Sequence, residues 1–120
     1  MRIAFAGDNG KEINTHFGQA GSFLIYEVSP SGYVFVESKD FSGVGDEEDD
    51  KIEGRIGALS GCTLVYCTQI GGVAAARLVK HKIQPVKVAD GHPIDDILQR
   101  LCERLNDNPP IWLKRAMREV

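Results

Sequence analysis

The residues best suited to bind a ligand lie in a long polar loop near the start of the chain. This loop, residues 8–21, contains His16 and three glycines, Gly10, Gly18 and Gly21. A long polar connection is typical of a binding loop, and neutral imidazole is a good ligand for iron, copper, zinc and molybdenum-type centres. We expect His16 to be a metal ligand and Gly18 to belong to the same site. On spacing alone, the alternative of a surface histidine bonded to its own loop stays open.

A second group of candidate residues consists of Cys67 and the glycine pair Gly71 and Gly72. A cysteine at the end of a buried strand is equally a metal ligand or gating residue and a small buried hydrophobe. The glycine pair opens a predicted helix, where unpaired backbone N–H groups attract anions and the missing side chains let a bulky ligand approach closely. We expect these three residues to contribute to a site for an anionic ligand.

Hydrophobic periodicity predicts the elements that position these residues. Segments rich in β-branched and aromatic residues predict strands 1 to 5 at residues 2–7, 22–29, 33–39, 62–67 and 85–88. Helical spacing predicts helices from the acidic run 46–50 to near Gly61, over 72–82, over 94–105, and a final helix from Pro110. In the second helix, Val73, Leu78 and Val79 are expected to face inward. Strand alternation predicts that Cys67 shares a face with Val65, and Cys62 with Leu64 and Tyr66.

The order of these elements predicts an α/β fold in a single domain, residues 1–120. We expect a mixed five-stranded sheet of order 3-2-1-4-5, with strand 2 antiparallel to the rest and helices on both faces, because crossovers are right-handed. Strands 1 and 4 then flank a topological switch point, and ligands of such sheets bind outside the carboxyl ends of the strands. The loops at residues 8–21 and 68–72 should therefore meet.

Composition and missing motifs exclude several function classes. A net charge of −3 gives no basis for nucleic-acid binding, and no apolar run is long enough for a membrane span, so we expect a cytoplasmic protein. Three cysteines without a close pair favour reduced thiols. Paired carboxylates and a Gly-x-Ser-x-Gly motif are missing, so we expect no enzyme activity. His92 follows the last strand at the same edge and could approach the site, although its Asp-Gly-x-Pro context is chiefly typical of turns.

Several motifs together resemble one family, the dinitrogenase iron-molybdenum cofactor biosynthesis family. They are residues 3–6, 23–26, 61–67, 71–74, 83–88 and 112–116, and the motif His16-Phe17-Gly18-Gln19-Ala20. The chain looks closest to the family's NifX-type carriers. The resemblance implies a ribonuclease-H-like fold without a nuclease site, and transport of an iron-sulfur precursor of the iron-molybdenum cofactor in nitrogen fixation. The implied partners are the radical-SAM enzyme that builds the cluster and the scaffold that matures it, and His16 matches the histidine that related carriers use.

Two alternative functions stay open at this point. One is a carrier of another metal-sulfur unit, such as a molybdenum-copper cluster, bound at the same loops. The other is a metal-free regulatory or docking protein of cofactor assembly, whose basic C-terminal segment binds a partner. Metal analysis of protein isolated without oxygen would distinguish the first alternative from a carrier of the iron-sulfur precursor. Partner binding that persists without any cluster would favour the second alternative.

Overall fold

The computed structural model describes residues 1–7, 12–13, 15, 17, 21–40 and 48–106. The strands in these ranges are β1 (Arg2–Ala6), β2 (Glu12–Ile13), β3 (Ser22–Ser29), β4 (Gly32–Asp40), β5 (Cys62–Cys67), β6 (Gln84–Lys87) and β7 (His92–Pro93). The helices are α1 (Glu48–Ala58), α2 (Gly72–Lys80) and α3 (Ile94–Asn106). None of these helices is long and apolar enough to cross a membrane. The final helix expected from Pro110 lies outside the described residues.

Five of the strands form one mixed sheet in the order β4-β3-β1-β5-β6. Strand β3 runs antiparallel to β1 and β4, whereas β5 runs parallel to β1 and β6. Counted along the chain, these five strands therefore stand in the order 3-2-1-4-5. The prediction of an α/β fold built on a mixed five-stranded sheet is confirmed. The parallel strands β1, β5 and β6 end at one common edge of the sheet, which we call the carboxyl edge.

Each face of the sheet is covered by its own hydrophobic core. Alternate residues of β1 divide between the two cores, Ala4 and Ala6 on one face and Ile3 and Phe5 on the other. The first, which we call the α1/α2 core, packs side chains of α1 and α2 against the sheet, and the second, the α3 core, packs those of α3. Residues 3–6 of β1 are buried on both faces, and this part of the strand is apolar throughout.

The buried face of α2 differs from the prediction. Leu78 is fully buried as expected, but Val73 is 60% exposed and Val79 is 54% exposed. The helix instead turns Ala74 and Leu78 inward, a spacing of four residues that defines one narrow stripe. Val73 and Val79 lie beside this stripe, so the prediction that they face inward is wrong.

The predicted face of Cys62 is also wrong. Cys62 packs in the α1/α2 core with Val65 and Cys67, and not with Leu64 and Tyr66 in the α3 core. The pairing of β1 with β5 shifts register between Arg2, which pairs with Cys62, and Ile3, which pairs with Leu64. Such an irregularity adds a residue to one strand and interrupts the alternation of its side chains.

The two positions on α2 make a matched test of its orientation. Leu78→Ala should lower the free energy of unfolding by about 2–5 kcal/mol, because it removes a buried side chain and leaves a cavity. Val79→Ala should change it by no more than about 0.5 kcal/mol, because the side chain is mostly in water and alanine favours the helix. Equilibrium unfolding in urea measures both values. Equal losses for the two variants would contradict the observed orientation.

Candidate functional site

The candidate site lies at the carboxyl edge, where the central strands β1 and β5 end side by side. Cys67 is the last residue of β5, and helix α2 begins soon afterwards at Gly72. The chain leaves β1 toward one neighbouring strand and leaves β5 toward the other, so the two loops diverge from a common crevice. Open α/β sheets bind ligands at such a position.

Two backbone hydrogen bonds join the loop after β1 to the loop after β5. The N–H of Thr68 donates to the carbonyl of Thr15 at 3.1 Å, and the N–H of Phe17 donates to the carbonyl of Gln69 at 2.8 Å. Phe17 is fully buried, with its ring centroid 5.5 Å from that of Phe23. In the described part of the first loop, the expected meeting of the two loops is therefore seen.

A third segment, residues 88–93, is tied to both of these loops. The N–H of Val88 donates to the carbonyl of Cys67 at 3.0 Å, and that of Gly91 donates to the carbonyl of Ile13 at 2.9 Å. His92 then pairs with Ile13 in the two-stranded sheet of β2 and β7. We call these four inter-loop hydrogen bonds, from Thr68, Phe17, Val88 and Gly91, the loop framework. It holds three chain segments at one edge of the main sheet.

The small sheet of β2 and β7 was missed by the sequence analysis. Each of its strands has two residues, too few to show a period of two. The available signal was the Asp90-Gly91 turn, in which Gly91 adopts a φ of 84° that favours glycine. A turn at this position brings the chain back toward the first loop.

The start of α2 is open on its outer side. Gly71 caps the helix in an extended conformation, without a side-chain cap from the described residues and without an acidic residue in the first turn. A Cβ atom built on Gly71 or Gly72 would meet no atom of the described residues within 4 Å. The first backbone N–H groups of a helix carry partial positive charge and need acceptors. This surface is therefore suited to an anion, and binding of an anion by the glycine pair stays a prediction.

Cys67, the last residue of β5, is fully buried in the α1/α2 core. Burial raises the pKa of its thiol to about 11, although the nearby Lys87 charge acts in the opposite direction. At neutral pH the thiol is therefore protonated, whereas metal coordination requires the thiolate. Direct coordination by Cys67 stays a prediction, and it would require the thiol to lose its proton and to become accessible.

His16 and Gly18 lie outside the described residues, so the prediction that they bind the ligand stays a prediction. Within the described ranges, no group of three or more His, Cys, Asp and Glu side chains could hold a metal ion. His92, by contrast, is described, and its Nε2 atom lies 3.0 Å from Oδ2 of Asp96. The small sheet therefore places one candidate histidine on the loop framework.

Comparison with known proteins identifies the family. A family model described as dinitrogenase iron-molybdenum cofactor matches residues 1–104. The chain belongs to the dinitrogenase iron-molybdenum cofactor family. Protein NifX of Sinorhizobium fredii is 40% identical over 127 residues, covering 100% of this chain and 79% of NifX. The FeMo cofactor biosynthesis protein NifB of Azotobacter vinelandii is 38% identical over 109 residues, covering 86% of this chain and 22% of NifB.

A solved structure shares the fold of this family member. The apo form of the orange protein from Desulfovibrio gigas superposes with a TM-score of 0.68 at 18% identity, covering 87% of this chain and 88% of that protein. At this identity the likeness concerns the fold alone. The family and its NifX relatives support a role in iron-molybdenum cofactor biosynthesis, and hence in nitrogen fixation, as the sequence resemblance implied.

Thiol reactivity tests the state of Cys67. With a pKa of about 11, only a very small fraction of Cys67 is ionised to the thiolate at neutral pH. Iodoacetamide should therefore modify Cys67 much more slowly than the partly exposed Cys102. Its rate should rise with pH until the thiol is deprotonated. Mass spectrometry of alkylated peptides measures each site separately, and Cys62, buried with a pKa of about 11, is the matched control. Alkylation of Cys67 at the rate of Cys102 would show an accessible thiolate instead.

Proposed function

We propose that this protein transiently binds an iron-sulfur precursor of the iron-molybdenum cofactor and transfers it during cofactor assembly. The donor would be the radical-SAM enzyme that builds the cluster, and the recipient would be the scaffold on which the cofactor matures, both in the cytoplasm. The protein would act as a carrier and would not be an enzyme. The observation that carries this proposal is the loop framework, which joins the predicted binding loop to the open start of α2.

His16 is the proposed metal ligand because both of its neighbours in the sequence are anchored beside the start of α2. Thr15 accepts a hydrogen bond from Thr68, and Phe17 donates one to Gln69, two residues before Gly71. Phe17 is also held by its buried ring. Because the residues on both sides of His16 are anchored, metal binding by its imidazole would cost little further backbone entropy. Gly18, the next residue of the motif, is proposed to let the cluster approach the backbone.

The proposed second contact is between the anionic cluster and the start of α2. Sulfide-rich clusters carry negative charge, and the open N–H groups at Gly71 and Gly72 offer donors together with the positive end of the helix dipole. These contacts are weaker than metal–thiolate bonds and need no particular cluster geometry. Such contacts suit a cluster that must be bound and then released to a partner.

A small number of protein ligands is consistent with transfer. A cage of four thiolates would hold a cluster tightly, whereas one imidazole and a set of backbone donors would release it to a partner with more ligands. The burial of Cys67 agrees with this arrangement, because a buried, protonated thiol does not add a tight thiolate ligand. We propose Cys67 as a packing or gating residue of the site.

The strand order further supports the ribonuclease-H-like topology that the resemblance implies.

Replacement of His16 tests the proposed ligand. Anaerobic incubation with a synthetic, thiolate-capped [4Fe-4S] cluster should give a brown protein, and His16→Ala should weaken binding by roughly 10-fold or more, because a metal–nitrogen bond is lost. Visible absorbance after gel filtration measures the bound cluster. His81→Ala is the matched control, because His81 lies at the opposite end of α2 and caps that helix through its backbone. Binding by the His16→Ala protein as strong as wild type would contradict the assignment.

Charge at the start of α2 gives a second test. Gly72→Glu and Gly72→Gln add side chains of nearly equal shape at an exposed position, and only the first adds a negative charge. We expect the Glu variant to bind the same cluster about 5-fold more weakly than the Gln variant, because its carboxylate repels the cluster and competes for the helix N–H groups. The melting temperature of the Glu variant should equal or exceed that of the Gln variant. Equal affinities would exclude an anionic contact at this helix.

A further inference from the structure

His92 is held at the carboxyl edge by backbone contacts on both of its sides. It pairs with Ile13 across the small sheet, and its own N–H donates to the carbonyl of Ala89 at 3.2 Å. The preceding Gly91 donates to the carbonyl of Ile13 and has a positive φ that another residue would adopt only with strain. The backbone of His92 is therefore positioned before any ligand binds.

The side chain of His92 is oriented by a carboxylate. Its Nε2 atom lies 3.0 Å from Oδ2 of Asp96, and the same oxygen lies 3.3 Å from Nε of Arg100. A carboxylate oxygen accepts hydrogen bonds, so Nε2 of the imidazole is the donor in this contact and carries the proton. In the neutral ring the lone pair then belongs to Nδ1. This atom has no hydrogen-bond partner in the described part of the chain.

This arrangement matches the outer shell of many metal-binding histidines. A histidine that coordinates a metal through one ring nitrogen usually donates its other N–H to a carboxylate or a carbonyl, which sets the tautomer and the ring orientation. The His92 side chain is 32% exposed, so a ligand can reach it from solvent.

The position of His92 complements the proposed site. Phe17 and α2 pack in the α1/α2 core, whereas Ile13 and α3 pack in the α3 core, on the other face of the sheet. Ile13 and Phe17 of the first loop therefore pack on opposite faces of the sheet. Gly71 and Gly72 lie at the start of the helix α2 on one face, and His92 precedes the helix α3 on the other.

We propose that His92 is a second imidazole ligand for the metal-sulfur cargo, with Asp96 as its positioning residue. This inference rests on the proposed carrier function and adds one donor to the proposed set. The cargo would then be coordinated by two side chains from different loops. Loss of either bond would leave the other in place, so a partner could take over the cluster one ligand at a time.

The test uses the same synthetic [4Fe-4S] cluster bound to the full chain, and reads both affinity and the atoms attached to the metal. His92→Ala should weaken binding by roughly 10-fold or more, and Asp96→Asn by about 10-fold, because loss of an outer-shell carboxylate typically reduces metal affinity 10–100-fold. Pulsed EPR of the reduced cluster detects imidazole nitrogens. The His16→Ala and His92→Ala proteins should each retain a nitrogen coupling, and the double variant should lose it. His81→Ala should match wild type.

The outcomes separate this inference from the carrier function itself. If His16→Ala weakens binding but His92→Ala has wild-type affinity and spectrum, His92 is not a ligand and the carrier function stands. If His92→Ala lowers affinity but the nitrogen coupling of the His16→Ala protein survives the second substitution, His92 acts only on the fold and the inference fails. If neither histidine variant differs from wild type, the proposed imidazole ligation at both positions fails. A melting temperature within error of wild type identifies variants that remain folded.

Discussion

Parallel pairing of β1 with β5 at the centre of the sheet is the constraint on which the rest of the structure depends. The two strands are buried on both faces, and their shared direction brings two loops to one edge. Parallel strands cannot be joined by a tight turn, so the loops that leave their carboxyl ends are not fixed in length or sequence by a turn. Hydrogen bonds between Thr68 and Thr15 and between Phe17 and Gln69 then join loops that lie far apart in the chain.

Much of the fold could be predicted from the sequence because its strands are long enough to show a pattern. Most residues on both faces of β1 and β5 are apolar, which identifies buried central strands, and the turn at 30–32 identifies the hairpin of β3 and β4. The prediction was wrong where a hydrophobic pattern fits two adjacent faces of a helix, or where an irregularity interrupts the alternation of a strand. Val73 and Val79 fit a helical stripe adjacent to the real one, and a register shift moved Cys62 to the other face.

The candidate site was predicted less completely than the fold. Cys67 and the pair Gly71 and Gly72 lie at the carboxyl edge as expected, because strand direction alone places them there. The protonation state of Cys67 depends on packing from distant elements, which no local pattern reports. The connection of His92 to the first loop depends on a sheet with two-residue strands, and the orientation of its ring depends on Asp96 one helical turn later. Such contacts become visible only in three dimensions.

The burial of two of the three thiols also bears on how the protein copes with competing metals in the cell. Copper and zinc bind thiolates tightly, and copper stands at the top of the affinity order for divalent ions. Cys62 and Cys67 are buried in the fold and protonated at neutral pH, so neither presents an accessible thiolate to copper or zinc ions. Metal selectivity in this protein would then rest partly on restricted access, because two of its three thiols are buried and protonated.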